Sequence, residues 1–439
     1  MNSFQTVLAL LCFAPLSLCL AQGSWKVLED APVASGRFDD VYFVTPDLGW
    51  IVSVQGTVYR TDDGGETWER QFFSPGAGFR SVGFADSLRG WIGALSGPDF
   101  LWQTTDGGTT WSAVPSIQGP AISGICGMCV VNDSVVYGAG RFSGPPRLIK
   151  TTDGGQRWTS LDLSTHAGTL VDCHFFTPDS GFVVGGSPTG QFPNRIKAVV
   201  LFTADGGATF ETIKTTPNRP TGPQGEWCWK ISFPTRQMGF VSIERVQFNV
   251  GAQHILKTTD GGLTWEEIEV GRAFRVQAIG MLTESLGWLG GEEETFATTD
   301  GGLTWQLTDF EWANLNRFRF FGDTLGYAVG RTVYKYARDT LATSVDPARP
   351  VPDGFALEQN YPNPFNRSTS IGYRLRVGGR VVLQVFNVSG QEVARLVDTE
   401  QTPGRYHLTF ESSGLPSGVY YYRLRSRGRV ETRKLILLR

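Results

Sequence analysis

The chain has 439 residues, a net charge of −3 and 41% hydrophobic residues. This near balance of charge argues against a nucleic-acid partner, since such proteins usually carry a strongly basic surface. Short alternating apolar runs are common and segments with the 3.6-residue period of a helix are few. We therefore expect an all-β protein, long enough for one large repeat domain and a smaller second domain.

Residues 1–21 have the features of a secretory signal peptide. They contain no charged side chain, and an apolar run from Val7 to Leu20 precedes the small residue Ala21. The run is too short to cross a bilayer comfortably, so we expect no transmembrane span. The sequence therefore predicts Sec export to the periplasm with cleavage after Ala21, although the first residues lack the usual Lys or Arg.

An eight-residue motif, T-x-D-x-G-x-T-W, occurs six times. Successive copies follow at intervals of 40 to 55 residues, the period of a four-stranded propeller blade. The third copy has Arg157 in place of the second Thr, and the fourth has Phe210 in place of the Trp. The copies begin at Thr61, Thr104, Thr151, Thr203, Thr258 and Thr298.

The motif has the composition of a tight turn that leads into a strand. Asp and Thr side chains accept hydrogen bonds from nearby amides, Gly supplies a positive φ, and the closing Trp covers apolar surface between neighbouring sheets. We therefore assign a structural role to the aspartates and tryptophans of the motif, which are Asp63, Asp106, Asp153, Asp205, Asp260, Asp300, Trp68, Trp111, Trp158, Trp265 and Trp305.

The two ends of the repeat region complement each other. Residues Ser24 to Leu28 look like a strand that follows such a turn, yet no turn precedes them. Residues Phe318 to Tyr336 look like three strands of a blade without its fourth. We predict a seven-bladed β-propeller over residues 22–338, closed by the N-terminal strand, because this closure pairs two open sheet edges.

Residues 24–340 resemble the Asp-box (BNR-type) propellers. This superfamily includes sialidases, xyloglucan-degrading glycoside hydrolases, the sortilin ectodomain and the photosystem II stability/assembly factor family. The form of the motif from Thr258 to Trp265 and the short blades are most similar to the last of these. The resemblance implies a fold rather than an activity, since the Asp-box of such families lies on the outer edge, away from the ligand face.

The rest of the chain predicts a linker and a small second domain. Residues 339–352 are rich in Ala, Thr, Pro and Asp and lack a strand pattern, as a linker does. Residues 353–439 contain about seven short alternating strands separated by Gly and Pro turns, which favours a small immunoglobulin-like β-sandwich. This tail has 13 Arg plus Lys against 7 Asp plus Glu, a net charge of +6.

The tail closely resembles the type A C-terminal sorting domain of the type IX secretion system. The resemblance rests on Gln359 to Asn366, Phe386 to Gly390, Leu415 to Leu424 and Lys434 to Leu438. It implies that residues 353–439 engage the type IX secretion machinery, and that the protein is secreted or attached to the outer cell surface. A sortase-like protease often removes such domains. The basic charge of the tail fits a docking module, or alternatively a solvated face.

Polar residues at repeated inner-strand positions are candidates for a ligand site. Asp40, Asp172, Lys230 and Arg317 align at one position, and Tyr42, His174 and Arg319 follow two residues later. The period of two places both sets on one strand face, toward the central channel. Such a cleft could bind an anion or a sugar. Alternatively, a wet propeller channel simply tolerates polar residues.

Loop insertions and cysteines give further candidates. Insertions from Gly185 to Ala198, Thr216 to Trp229 and Glu244 to His254 lengthen two blades. The middle one carries Trp227 and Trp229, which either contact a ligand or only cover a blade edge. The cysteines that follow the signal peptide, Cys126, Cys129, Cys173 and Cys228, either form cross-blade bridges or remain buried thiols. Cys126 and Cys129 have the spacing of a zinc-ligand pair, but the sequence offers no second pair of zinc ligands. We therefore expect no metal and no cofactor.

Two functions remain open. The first is a non-catalytic propeller that binds a protein or polysaccharide partner. The second is a glycoside hydrolase, sialidase-like or xyloglucanase-like, which would need two carboxyl groups such as those of Asp40 and Asp172 roughly 5 to 10 Å apart across an open cleft. The Arg-Ile-Pro motif of sialidases is absent, since Arg195-Ile196 is followed by Lys197.

Overall fold

The structure is a computed structural model that forms two compact units, residues 1–341 and 342–439. It describes residues 23–188, 196–217, 225–245, 251–273, 275–308, 310, 313–337, 355–360, 363–366, 368–375, 378–402, 404–412, 414–427 and 429–438. The predicted signal peptide (1–21) and linker (339–352) lie outside these residues, so both stay predictions. Within the described ranges, no helix is long and apolar enough to cross a membrane.

The first unit is built from seven four-stranded antiparallel sheets, which confirms the seven-bladed propeller. Blade 1 contains β2 (Phe38–Phe43), β3 (Gly49–Ser53), β4 (Thr57–Thr61) and β5 (Glu69–Phe73). Blade 2 contains β6 (Phe79–Phe84), β7 (Gly90–Ala94), β8 (Leu101–Thr104) and β9 (Ser112–Ala113). Blade 3 contains β10 (Gly127–Val130), β11 (Val136–Ala139), β12 (Arg147–Thr151) and β13 (Thr159–Asp162). The first strand of each blade is the inner strand.

Blades 4 to 7 complete the ring. They contain β14 (Thr169–Phe175), β15 (Gly181–Gly186), β16 (Ala198–Thr203) and β17 (Glu211–Thr215); β18 (Glu226–Ser232), β19 (Gly239–Arg245), β20 (Gly251–Thr258) and β21 (Glu266–Ala273); β22 (Ala278–Met281), β23 (Gly287–Gly290), β24 (Thr295–Thr298) and β25 (Gln306–Leu307); and β26 (Arg317–Phe321), β27 (Leu325–Val329) and β28 (Val333–Ala337) with β1 (Ser24–Val27).

The N-terminal strand closes the ring as predicted. Strand β1 pairs antiparallel with β28, so that Ser24 lies opposite Ala337 and Val27 opposite Tyr334. Trp25 packs into the seam, with its ring centroid 5.3 Å from that of Trp288 in blade 6. The closing strand therefore supplies both a ladder of backbone hydrogen bonds and an aromatic contact to the neighbouring blade.

Aromatic stacks join one blade to the next. The ring of Trp50, on the second strand of blade 1, stacks on Phe84 of blade 2 with centroids 3.5 Å apart. Tyr137 and Phe175 stack in the same way between blades 3 and 4, at 3.6 Å. Because a single sheet cannot bury both of its faces, these contacts place the apolar core between the blades.

The second unit is a seven-stranded sandwich, as predicted. Three strands, β29 (Phe355–Leu357), β30 (Ser368–Leu375) and β33 (Gly404–Glu411), form one sheet. The other sheet has the order β32 (Glu392–Gln401), β31 (Gly379–Asn387), β34 (Gly418–Ser426) and β35 (Arg429–Leu437). Alternate residues of both sheets, including Ile371, Leu383 and Tyr422, are fully buried between them.

Candidate functional site

The repeated turns connect the third and fourth strands of blades 1 to 6. In the copy that begins at Thr258, Asp260 accepts hydrogen bonds from the Thr258 hydroxyl (2.7 Å) and from the amide (3.0 Å) and hydroxyl (2.6 Å) of Thr264. These donors lower the pKa of Asp260 to about 2, and the Thr264 hydroxyl contributes most. The same threonine bonds are made by Asp63, Asp106, Asp205 and Asp300.

The third copy differs because of its substitution. Arg157 has no hydroxyl to donate, so Asp153 keeps the Arg157 amide (2.9 Å) and the Thr151 hydroxyl (2.9 Å). The missing donor weakens this turn relative to the other five, since hydrogen bonds to a charged acceptor are the stronger ones.

Each turn also contacts the preceding blade. Trp50 Nε1 in blade 1 donates to the Gly107 carbonyl in the turn of blade 2, at 3.1 Å. The Tyr327 hydroxyl in blade 7 donates likewise to Gly64 in blade 1, at 2.9 Å. Of the motif tryptophans, Trp111, Trp158 and Trp265 are buried, and Trp68 and Trp305 are half-buried. These contacts fasten neighbouring blades, and they account for the motif residues without a chemical role.

On the propeller axis, Arg317 lies between two aspartates. Its Nε is 3.0 Å from Asp40 Oδ1, and its Nη1 and Nη2 are 2.9 and 3.2 Å from the two oxygens of Asp172. All three residues are buried. The carboxylates also accept from backbone amides, Asp40 from Val82 (3.2 Å) and Asp172 from Ile231 (3.3 Å), and Arg319 lies 3.9 Å from Asp40. The inner strands of blades 1, 4 and 7 thus bring these predicted residues together.

Lys230 belongs to the same cluster, but its ammonium group has no ion pair among the residues that the structure describes. It is fully buried, and among the described residues no acceptor lies within hydrogen-bonding distance of its Nζ. Burial lowers the pKa of Lys230 to about 8, and the positive charge of Arg317 acts in the same direction. Nearby, Asp39 is ion-paired with Arg37 (2.9 Å) and with Arg80.

The second predicted set lies two residues further along the inner strands. The guanidinium of Arg319 stands over the Tyr42 ring, 5.3 Å from its centroid. The His174 ring stacks on Phe233 at 5.1 Å. Desolvation lowers the pKa of His174 to about 4, so this imidazole is neutral near pH 7. The structure therefore divides the set between aromatic contacts instead of gathering it around one ligand position.

The two carboxylates cannot act as a hydrolytic pair in this arrangement. A glycosidase needs its acid and its base or nucleophile on either side of an open sugar position. Here a single guanidinium occupies the space between Asp40 and Asp172, and both side chains are buried. Arg317 also lowers the pKa of Asp172 against the effect of its burial, whereas a general acid needs a raised one.

Trp227 and Trp229, for which the sequence left open contact with a ligand or cover of a blade edge, are placed inside the propeller. Both lie on inner strand β18 and are buried, with exposures of 5% and 3%. Trp229 donates to Asn316 Oδ1 at 3.1 Å, and the Arg80 guanidinium stands 5.2 Å from its ring centroid. Both rings stay inside the propeller because neither face of strand β18 is open to solvent.

The four cysteines in the described part of the chain are free. Cys126, Cys173 and Cys228 are buried and Cys129 is half-buried. Burial raises the pKa of the Cys129 thiol to about 11 and that of Cys173 well above its usual value, so these thiols are neutral and unreactive near pH 7. In the described part of the chain, no group of three His, Cys, Asp or Glu side chains could hold a metal ion.

A polar pocket that the strand alignment did not identify opens where the inner strands begin. It has a volume of about 230 Å³. Its lining is formed by Gly36, Arg37, Val54, Glu244, Arg275, Gln277, Glu292 and Asn314. The strands on either side of the predicted loop insertions begin or end at this same end, whereas the repeated turns lie at the other end. Parts of those insertions (189–195, 218–224 and 246–250) lie outside the described residues. We call these eight residues the axial pocket.

The axial pocket is built from equivalent positions of different blades. Arg37, Arg275 and Asn314 lie just before the inner strands of blades 1, 6 and 7. Glu244 and Glu292 lie where the second strands of blades 5 and 6 end. A comparison of the repeats that continued beyond the strands would have aligned these polar residues.

Two family profiles match parts of the chain. Residues 19–121 match the photosynthesis system II assembly factor YCF48, and residues 359–438 match the secretion system C-terminal sorting domain. Both predicted resemblances are therefore confirmed. The second match makes the chain a secretion-sorted protein, either secreted or attached to the surface. No curated protein sequence matches the chain significantly.

Solved structures share the fold at low sequence identity. A structure described as YCF48 bound to D1 peptide is 21% identical with a TM-score of 0.54, over 72% of this chain and 97% of that one. YCF48 from Cyanidioschyzon merolae is 20% identical with a TM-score of 0.52, over 72% and 99%. An ancestral GH74 enzyme is 14% identical with a TM-score of 0.53, over 94% of this chain and 63% of that one.

Proposed function

We propose that the propeller is an exported, non-catalytic binding module for a protein or polysaccharide outside the cell. The observation that carries this proposal is the closed contact of Arg317 with Asp40 and Asp172. The channel carboxylates that a hydrolase would use are buried, charged and already paired. What the molecule offers to a ligand is the end of the propeller with the loop insertions and the axial pocket.

Delivery to the cell exterior is the second part of the proposal. The predicted signal peptide passes the chain to the periplasm, and residues 353–439 then direct it through the type IX machinery. The match of residues 359–438 to the sorting-domain profile supports this route. In a bacterium that has a type IX system, the full chain is expected in the medium or on the surface. A chain that ends at residue 338 is expected to remain in the periplasm.

The absence of catalysis is tested with the full chain. Purified protein is incubated with a panel of neutral polysaccharides and sialosides, and the release of reducing sugar and of sialic acid is measured. We expect no release above that of a heat-denatured sample. Release that disappears in Asp40→Asn or Asp172→Asn would overturn the proposal and establish a hydrolase. Binding to the same panel and to candidate proteins is measured in parallel by biolayer interferometry.

The resemblance to a peptide-bound YCF48 supports a binding role but does not identify the partner. That structure contains a D1 peptide by its description. At 21% identity the likeness extends to the fold, and the same fold is shared by an ancestral GH74 enzyme. The axial pocket of this chain is therefore the better guide to the ligand.

A further inference from the structure

We propose that the axial pocket binds one uncharged, hydroxyl-rich sugar unit, and so that the partner is a neutral polysaccharide. This inference rests on the proposed function, whose binding face it specifies. It depends on three features of the pocket, which are an unsatisfied acceptor, a balance of charge and a fixed backbone.

The unsatisfied acceptor is the side-chain oxygen of Gln277. Its amide nitrogen donates to Glu244 Oε1 at 2.7 Å. Its Oε1 is buried, and among the described residues no donor lies within hydrogen-bonding distance of it. Both Gln277 and Glu244 are more than nine-tenths buried. Because a buried acceptor without a partner is unfavourable, a hydrogen-bond donor from a water molecule or from a ligand in the pocket would complete the contacts of Gln277.

Three of the four charged side chains that line the pocket are in ion pairs, and the fourth, Glu244, accepts a hydrogen bond from Gln277. Arg37 contacts Asp39 at 2.9 Å and Asn314 Oδ1 at 3.3 Å, and the Arg275 guanidinium lies 3.3 Å from Glu292. An anionic ligand would meet the two glutamates, and an ammonium group would meet the two arginines. A hydroxyl group carries no charge and both donates and accepts, so it suits a lining of mixed guanidinium, carboxylate and amide groups.

The backbone around the pocket is held in a rare conformation. Arg275 has a φ of 48° and Asn314 a φ of 51°, in the left-handed region that non-glycine residues seldom occupy. The structure describes one further residue of this kind, Arg427, which lies in the other unit. Such positions persist where the surroundings fix them, and they recur at ligand sites. Here they aim two polar side chains into one small space.

The size and lining of the pocket fit a single ring rather than an extended chain. A volume of about 230 Å³ is smaller than the ~300–1,000 Å³ that is typical of drug-sized ligands. Val54 offers an apolar surface to the C–H face of a sugar. The remaining units of a polysaccharide would then lie on the loop-bearing end of the propeller.

The test is calorimetric titration of the full chain with glucose, galactose, mannose and xylose and with their linear tetrasaccharides. Galacturonate, lysine amide and an uncharged peptide serve as chemical controls. At least one neutral sugar is expected to bind, and its tetrasaccharide more tightly. Gln277→Leu, which removes the unsatisfied acceptor, is expected to weaken binding by about tenfold or more. Gln103→Leu, a matched change on the outer part of blade 2, is expected to leave binding unchanged.

A second variant guards against loss of folding. Glu292→Gln keeps the shape of an exposed side chain at the rim, and it is expected to weaken sugar binding severalfold with an unchanged melting temperature. Binding of galacturonate or the peptide alone, or sugar binding insensitive to both pocket variants, would overturn this inference and leave the proposed binding role intact. Cleavage of a bound tetrasaccharide, detected by chromatography of the same samples, would instead overturn the proposed function.

Discussion

Arg317 and Asp172 form a two-point ion pair from nearly opposite blades, with Nη1 and Nη2 2.9 and 3.2 Å from the two carboxylate oxygens. The same guanidinium contacts Asp40, so one side chain joins the inner strands of blades 1, 4 and 7. Neither strand pairing nor aromatic stacking links blades that are so distant in the ring. The contact acts as a brace across the channel.

Loss of this brace is expected to destabilise the propeller strongly. Arg317→Met leaves two buried carboxylates without their cation, which costs about 3–5 kcal/mol in the free energy of unfolding. Arg319→Met is the matched control on the same strand, where the side chain is partly exposed and lies 3.9 Å from Asp40. It is expected to cost less than about 1 kcal/mol. Urea denaturation of both variants checks the difference. Equal losses in the free energy of unfolding would show that the contacts of Arg317 stabilise the propeller no more than those of Arg319.

The repeated turns give a second prediction, on the effect of the hydroxyl that the third copy lacks. Asp260→Ala removes an acceptor of three hydrogen bonds, whereas Asp153→Ala removes an acceptor of two, from the Thr151 hydroxyl and the Arg157 amide. We expect Asp260→Ala to lower the melting temperature more than Asp153→Ala. Conversely, Arg157→Thr restores the missing donor and is expected to raise stability by about 0.5–1.5 kcal/mol. Differential scanning calorimetry would contradict this if Arg157→Thr were neutral or harmful.

The same carboxylates make the propeller sensitive to acid. The pKa of Asp106, Asp205, Asp260 and Asp300 is lowered to about 2, mainly by the threonine hydroxyl of each turn. A lowered pKa stabilises the folded state above pH 4, and this contribution is lost as the pH falls toward 2. Acid titration followed by tryptophan fluorescence should therefore show unfolding in this range. Asp260→Asn should start from lower stability and show a shallower loss.

Lys230 predicts a further rise of stability with pH in the alkaline range. Its pKa is lowered from 10.5 to about 8, mainly by burial, so the unfolded chain binds this proton more tightly. Stability should rise as the pH increases from about 8 to 10.5, because only the unfolded state still holds the proton there. Lys230→Met removes the buried charge and is expected to add about 1–3 kcal/mol at pH 7 and to flatten the rise. Denaturant midpoints at pH 7, 9 and 10 check both effects.

The fold could be predicted from the sequence because the same turn motif recurs at the spacing of a propeller blade. Each turn of Asp, Gly and Thr connects the third and fourth strands of a blade. The unpaired strand at Ser24 to Leu28 complements the last blade, which lacks a fourth strand, and this predicted the closure. The same alignment placed Asp40, Asp172 and Arg317 on the channel face. It did not predict that Arg317 joins the two carboxylates. The two-residue period of a strand shows on which face a side chain lies, but not which residues of distant blades it contacts.

The axial pocket was missed for a related reason. Arg37, Arg275 and Asn314 lie in irregular segments before the inner strands, where period-two reasoning stops. Two of them, Arg275 and Asn314, have a positive φ, and the local sequence does not predict this backbone conformation. Trp227 and Trp229 were associated with a loop insertion, yet β18 extends to Glu226 and buries both.

The closing strand offers the last prediction, because its Trp25 ring contacts aromatic residues of blade 6 and of blade 7 itself. The Trp25 ring lies 5.3 Å from Trp288, 5.8 Å from Phe310 and 5.4 Å from Phe318. Trp25→Ala is expected to cost about 2–4 kcal/mol through lost aromatic packing and a residual cavity. Val27→Ala, on the same strand but 58% exposed, is expected to stay within about 0.5 kcal/mol of the parent protein. Trp25→Ala should also speed hydrogen exchange at Tyr334 and Tyr336 on β28, because their partner strand is loosened. Exchange that stays unchanged there, despite a lower melting temperature, would show that Trp25 supports the core without controlling the closure.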